Sequence, residues 1–187
     1  MHRNRHKIDI FISREVFLGI PLPLLVIPSR FLFAFMIAAT VHEVFHIAAI
    51  TLLKIPIRSV HIGMRGMIIE TPSMYPKQEL LCAAAGPLGG MLLLLFLREI
   101  PLIAMVGMIQ SLYNLLPIYP TDGGRILRCI TSMILSEKAA DTLIYIIEIL
   151  TQSAILGCCI FASIWLHLGI LPIAFGASIL LRWLNRK

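Results

Sequence analysis

The sequence predicts an all-α integral membrane protein with about six transmembrane helices and a short membrane-associated β-hairpin. Of the 187 residues, 58% are apolar and 14% are charged, and the mean hydropathy is +0.89. Because soluble domains carry about 25% charged residues, this chain has too little polar surface for a water-soluble globule. The composition excludes a soluble enzyme, a disordered chain and a nucleic-acid-binding module. It predicts one transmembrane domain over residues 1–187.

Apolar segments about as long as a transmembrane helix requires, roughly 20 residues, recur along the chain. They are 10–28, 30–54, 77–97, 100–121, 140–165 and 168–184. If the N-terminus is cytoplasmic, fourteen of the sixteen basic residues fall in cytoplasmic segments, and only Arg30 and Arg98 lie outside. Positive charge concentrates in cytoplasmic loops, so this distribution favours a multi-pass protein with an even number of spans and both termini in the cytoplasm.

The connection 55–70 is too polar to span a membrane, and its apolar residues alternate with polar ones or glycine. Gly63 and Gly66 flank a turn, so the pattern predicts a β-hairpin at the cytoplasmic membrane face. An extended substrate could add to a strand edge formed by Ile62 and Met64. The alternative interpretation of this segment is a plain connector.

The second predicted span contains the sequence HEVFH, with His42, Glu43 and His46. Residues four apart lie on one face of a helix, so the two imidazoles can bind one metal ion. Glu43 lies about 100° round the helix, near the rim of that face, where it can act as a base toward water. This is the HExxH arrangement of zinc hydrolases. The alternative, a hydrogen-bonded polar patch, would bury three costly groups in lipid without a function.

A tetrahedral zinc bound by two histidines needs a third protein ligand beside its open position. Asp122 is the candidate, because prolines and glycines interrupt the apolar span around it and broken backbone at membrane depth lines a cavity or is buried in protein. The alternative role for Asp122 is the N-cap of the following helix. Glu148 and Gln152, one turn apart in the fifth span, could line a polar seam or touch substrate; the favoured interpretation is that they bond to each other.

Three segments together resemble the site-2 protease family of intramembrane metalloproteases: HEVFH at 42–46, AAAGPLGG at 83–90 and NLLPIYPTDGGR at 114–125. The resemblance extends over residues 8–184. The form of the third segment is similar to the stage IV sporulation protein FB branch. The resemblance implies one Zn²⁺ per chain bound by His42, His46 and Asp122, with Glu43 activating water. It also implies that Asn114 helps to hold substrate and the reacting carbonyl.

Two features depart from the family pattern. Gly90 stands where the family's second motif usually has asparagine, and the chain stops at Lys187, so we expect it to lack the C-terminal nucleotide-sensing domain of the sporulation branch. The resemblance implies a transmembrane or membrane-associated protein substrate, cut near the cytoplasmic face of a bacterial cell membrane. It leaves open the processing of a sporulation transcription-factor precursor and control by a regulatory membrane partner.

A function of another class is a non-proteolytic metal-binding scaffold or carrier in the membrane. A carrier would need polar groups along several spans, and the sequence places few ligands outside the one cluster. A scaffold that only binds has no use for Glu43. The sequence therefore favours a zinc-dependent metalloendopeptidase.

Overall fold

The computed structural model describes residues 9–12, 27–63, 66–72, 74–167 and 169–184. The described chain is mostly helical and divides into two compact units, Met1–Tyr113 and Asn114–Lys187. In chain order the elements are strand β1 (Asp9–Ile12), helix α1 (Ser29–Leu52), strands β2 (Ser59–Gly63) and β3 (Gly66–Glu70), helix α2 (Pro76–Leu92), a 3₁₀ turn (Leu93–Phe96), and helices α3 (Pro101–Asn114), α4 (Asp122–Ile134), α5 (Glu137–Ile164) and α6 (Leu171–Leu184).

Helix α1 packs against α2 in the first unit through one buried stripe. The buried residues of α1 occur at every fourth position, which places them on one face: Ala34, Ala38, His42, His46 and Ile50. The buried residues of α2 are mainly small: Cys82, Ala83, Gly86, Pro87, Gly89 and Gly90. Of these, Gly86 and Gly89 lie directly against α1. Small side chains let two helix backbones approach closely inside a membrane. The polar histidines therefore lie in the middle of a tight, otherwise apolar helix contact.

A small apolar cluster supports this helix pair within the first unit. Ala38 of α1, Leu93 of the 3₁₀ turn and Ala104 of α3 are buried together. Val41, Ile100, Ile103 and other partly buried apolar residues surround them. The cluster lies one helical turn before His42, so it fixes the α1 segment that carries the histidines.

The three strands form one small sheet in the order β1–β2–β3. Strands β2 and β3 are antiparallel and confirm the predicted hairpin, while β1 pairs with β2 in parallel. Ile62 pairs with Ile12 on one side and with Met67 on the other. The prediction that Ile62 lies at a strand edge is wrong, because β2 is the central strand and both of its sides are paired. Met64 lies outside the described residues.

The polar end of the hairpin carries a compact hydrogen-bonded group. The buried Ser59 hydroxyl donates to Glu70 Oε2 at 2.5 Å, and His61 Nε2 lies 3.6 Å from Glu70 Oε1. The His61 ring also stacks on Phe11 of β1, with ring centroids 4.8 Å apart. These contacts join all three strands of the sheet.

The second unit contains α4, α5 and α6, and α5 packs against both of the others. A non-helical connection, residues 115–121, precedes α4. Helix α3 ends before it because Pro117 has no N–H to donate to the carbonyl four residues earlier. Thr121 caps the start of α4, accepting a hydrogen bond from the N–H of Gly124 at 3.4 Å. The N-cap is therefore Thr121 and not Asp122, which is the first residue of the helix.

Within the described residues, three helical segments are long and apolar enough to cross a membrane: Ser29–Leu52, Pro76–Phe96 and Glu137–Ile164. They correspond to the second, third and fifth predicted spans and indicate a membrane protein. Six transmembrane helices are not confirmed. The prediction of a single domain over residues 1–187 stays a prediction.

The other three predicted spans differ from the structure or lie partly outside the described residues. Residues 10–12 of the first belong to β1, and 13–26 are outside the described chain. The fourth, 100–121, is a 14-residue helix followed by the connection, and the sixth has a 14-residue helix. A helix of that length measures only about 21 Å, against a hydrocarbon core of roughly 30 Å. Hydropathy alone could not show this for the fourth segment, because apolar residues continue beyond the last helical residue of α3.

Candidate metal centre

Two imidazoles meet on the buried face of α1. His42 and His46 are 5% and 8% exposed, and their Nε2 atoms lie 3.1 Å apart. The rings are close to perpendicular, with an interplanar angle of 81° and centroids 4.7 Å apart. The i, i+4 spacing thus brings two ring nitrogens to one point, as the sequence predicted.

The tautomer of His46 is set by the backbone of α2. Its Nδ1 lies 2.7 Å from the carbonyl oxygen of Cys82, and a carbonyl can only accept, so Nδ1 carries the hydrogen. In the neutral ring, Nε2 then keeps its lone pair. This pattern, a ligand histidine whose other nitrogen donates to a backbone carbonyl, is usual around bound metals because it fixes the ring orientation.

Gly86 of α2 provides the space in front of the two imidazoles. A Cβ atom at this position would lie 2.7 Å from His42 Nε2 and would collide with Nε2 of His46. Only a residue without a side chain fits there. Helix α2 therefore contributes a carbonyl that orients one imidazole and a gap beside the Nε2 atoms of both.

Asp122 is buried at the N-terminus of α4, with 7% of its surface exposed. An acid in the first helical turn interacts favourably with the helix dipole. The Arg125 guanidinium lies one turn further, with Nη1 3.6 Å from Asp122 Oδ1. Since Thr121 provides the N-cap, the Asp122 carboxylate is not needed for that role.

His42, His46 and Asp122 form a group that could hold a metal ion. Each offers one ligand atom, and these three atoms lie within 4.8 Å of one another. Two imidazole nitrogens and one carboxylate oxygen are a donor set that catalytic zinc sites use. These are the three residues that the sequence predicted as ligands, and their binding of zinc stays a prediction.

Two further predicted site residues, Glu43 and Asn114, lie on helices. Glu43 is half-buried and follows His42 directly in α1. Asn114 is half-buried and is the last residue of α3. The roles of Glu43 in activating water and of Asn114 in holding substrate stay predictions.

Gly90 shows why asparagine would not suit this position. A Cβ atom there would lie 3.1 Å from the carbonyl oxygen of Gly107 and would collide with the Ser111 hydroxyl. Helix α3 lies against α2 at this point, so an added side chain would overpack the contact. The residue that departs from the family pattern therefore lies where α2 and α3 touch.

Sequence reasoning missed the roles of Cys82, Gly86 and Glu148. Cys82 acts through its backbone carbonyl, which its residue type does not reveal. Gly86 belongs to the segment AAAGPLGG, whose pattern was only weak evidence for a functional site. The interpretation that Glu148 and Gln152 bond to each other is not confirmed, because Gln152 Nε2 has no hydrogen-bond partner within the described residues. The Glu148 carboxylate instead accepts a hydrogen bond from the backbone N–H of Tyr119 at 3.1 Å. Only the fold brings these two residues, 29 positions apart in sequence, into contact.

A solved structure shares this fold. The Site-2 Protease from Methanocaldococcus jannaschii is similar with a TM-score of 0.60, and the match covers 96% of this chain and 90% of that chain. The chain has the fold of a site-2 protease. Sequence identity is 18%, so the likeness concerns the fold. No protein-family model matches the sequence, and a comparison with curated proteins finds no match.

Proposed function

We propose that this chain is an intramembrane zinc metalloprotease of the site-2 protease type. It hydrolyses a peptide bond of a transmembrane or membrane-associated protein near the cytoplasmic face of a bacterial cell membrane. The observation that carries the proposal is the buried group of His42, His46 and Asp122, with Glu43 next to the first histidine in an apolar helix. The site-2 protease fold supports the same class of reaction.

The residues of the group fit a zinc ion. Two imidazoles and one carboxylate leave one position of a tetrahedral zinc open for water or substrate. The Cys82 carbonyl holds His46 in the tautomer whose Nε2 can bind a metal, and Gly86 leaves room beside both ring nitrogens. Bound by this group, zinc would polarise a peptide carbonyl and lower the pKa of a water molecule.

Glu43 supplies the proton transfers in this mechanism. Its carboxylate accepts a proton from the attacking water and later delivers it to the nitrogen of the leaving amine. Because Glu43 lies about 100° round the helix from His42, its carboxylate can face the reacting water without taking a ligand position. Asn114 would help to hold the substrate and its reacting carbonyl.

A transmembrane substrate must be extended before attack, because a helix keeps its carbonyls in its own hydrogen bonds. The small sheet offers a way to hold the extended segment. Within the described residues β3 pairs only with β2, so its other side can accept a further strand. This replaces the predicted edge at Ile62.

We also propose that the protein is multi-pass, with both termini in the cytoplasm. The distribution of the basic residues supports this orientation. A regulatory membrane partner and the processing of a sporulation transcription-factor precursor are supported only by the resemblance to the sporulation branch.

The first test compares host cells that carry the wild-type chain with cells that carry Glu43→Gln. The amide removes the proton acceptor but keeps the shape of the side chain. Mass spectrometry of membrane proteins should find a fragment, cut within or beside a membrane span, only with the wild type. Identical fragments in both cells, with equal metal content, would favour a metal-binding scaffold.

Metal content separates the roles of the site residues. Purified His46→Ala and Asp122→Ala proteins should lose zinc or bind it far more weakly, since each lacks one ligand. Glu43→Gln is the matched control and should retain the zinc of the wild type. Full zinc and activity in Asp122→Ala would show that the third ligand is another group.

A further inference from the structure

Glu148 is a buried acid in the middle of a membrane-length helix. It lies in α5, which has 28 residues, and only 1% of its surface is exposed. An ionisable side chain inside a membrane is costly and generally has a specific partner. The next polar residue on this face, Gln152, is one turn away and 5% exposed.

One partner of Glu148 is the backbone of the connection that leads to Asp122. Its Oε1 accepts the hydrogen bond of the Tyr119 N–H at 3.1 Å. The connection has few backbone donors because Pro117 and Pro120 have no N–H. A buried backbone N–H without an acceptor costs free energy. The Glu148 carboxylate supplies the acceptor for the Tyr119 N–H, which the connection itself does not provide.

The backbone of Tyr119 packs against the first turn of α4. A Cβ atom on Gly124 would lie 2.6 Å from the Tyr119 nitrogen, so backbone and helix touch at this point. The Thr121 Oγ1 atom lies 2.5 Å and 2.6 Å from the carbonyl oxygens of Leu116 and Ile118. The connection therefore has little freedom to move without moving the first turn of α4, which begins at Asp122.

We propose that Glu148 is a positioning residue for the metal centre. By holding Tyr119, it fixes the connection and, through it, the direction of the Asp122 carboxylate. The inference rests on the proposed function, because it assumes that Asp122 binds the metal. Glu148 itself takes no part in the reaction.

The contact needs an acceptor of the right length and does not need a negative charge. Glu148→Gln keeps a carbonyl oxygen at the same distance along the side chain. Glu148→Asp keeps the carboxylate but withdraws it by one methylene. Glu148→Met keeps the approximate volume and removes the acceptor. Gln152→Met is the matched control, a buried polar residue on the same helix whose Nε2 has no hydrogen-bond partner within the described residues.

The experiment measures zinc affinity of the full-length chain in detergent, by competition with a chromophoric chelator. Altered support of metal ligands commonly weakens binding about 10–100-fold, and we expect about tenfold for Glu148→Met and Glu148→Asp. Glu148→Gln and Gln152→Met should bind like the wild type. The absorption spectrum of bound Co²⁺ reports ligand geometry directly, and it should change in Glu148→Met and Glu148→Asp alone.

Wild-type affinity and an unchanged Co²⁺ spectrum in a folded Glu148→Met or Glu148→Asp protein would overturn the inference. So would a Glu148→Gln protein as weak as Glu148→Met, since the charge would then matter and not the acceptor. If Glu148→Met does not fold, Glu148→Asp and Glu148→Gln still decide the question. Failure of the wild-type chain itself to bind zinc would instead overturn the proposed function, and the inference with it.

Discussion

Replacing Gly86 by alanine tests whether the gap in front of the two imidazoles is needed for metal binding. The added Cβ would lie 2.7 Å from His42 Nε2 and would collide with His46 Nε2. Ordinary van der Waals contact begins at 3.4 Å, so His42 Nε2 must move away by about 0.7 Å, and His46 Nε2 must move as well. The two nitrogens belong to short side chains in a close-packed helix contact, and they cannot retreat without turning the rings.

A displacement of this size is large compared with what a metal site tolerates. Metal–ligand distances are held within about ±0.2 Å of their usual values. We therefore expect zinc affinity to fall roughly 10–100-fold, the range typical of disturbed ligand orientation. This corresponds to about 1.4–2.8 kcal/mol of binding free energy.

The measurement is a competitive zinc titration of the purified protein in detergent, with thermal unfolding recorded in parallel. Gly157→Ala is the matched control, because a Cβ on that helical glycine would meet nothing within 4 Å. Wild-type zinc affinity in a folded Gly86→Ala protein would refute the reasoning. Equal losses in both variants would show that the effect is not local to the imidazoles.

Three further outcomes are expected. Gly90→Ala should lower the free energy of unfolding by about 1–3 kcal/mol, because the added methyl group overpacks the contact with α3. Gly157→Ala should leave it unchanged, and equal stabilities of the two variants in a denaturant titration would contradict this expectation. In the inactive Glu43→Gln protein, a photo-crosslinking side chain at Ile69 in β3 should capture substrate more efficiently than one at its cross-strand partner Val60 in β2. The reverse order would disprove strand addition at β3. Asp122→Asn should weaken zinc more than about tenfold by removing the ligand charge, and an unchanged titration would exclude Asp122 as a ligand.

Local patterns in the sequence were sufficient for much of the candidate site. The spacing of His42 and His46 requires only a helix to put both imidazoles on one face, and the apolar run around them ensures that helix. The interrupted segment before Asp122 marked the place where a third ligand could approach. The alternation in residues 55–70 was sufficient for the hairpin, because side chains on a strand alternate with period two.

The lengths of the helices were less accessible to sequence reasoning. Hydropathy does not distinguish the last turn of α3 from the apolar connection after it, although Pro117 ends the helix. It also could not distinguish the start of the first predicted span from β1, since four residues carry little periodic signal. Pairing of β1 with β2 then made Ile62 central, and strand order is a property of the whole sheet.

The sequence by itself was sufficient to predict which residues would carry the chemistry: the two histidines, Glu43 and Asp122, all identified from short-range patterns. Only the tertiary structure decided how they are supported. Three contacts give this support: the Cys82 carbonyl, the gap at Gly86 and the hydrogen bond from Tyr119 to Glu148. Each depends on backbone atoms or on an absent side chain, and each joins residues that are far apart in the sequence. Such contacts leave no periodic trace in a single sequence, because any residue has a carbonyl and an N–H, and only packing selects which of them meet.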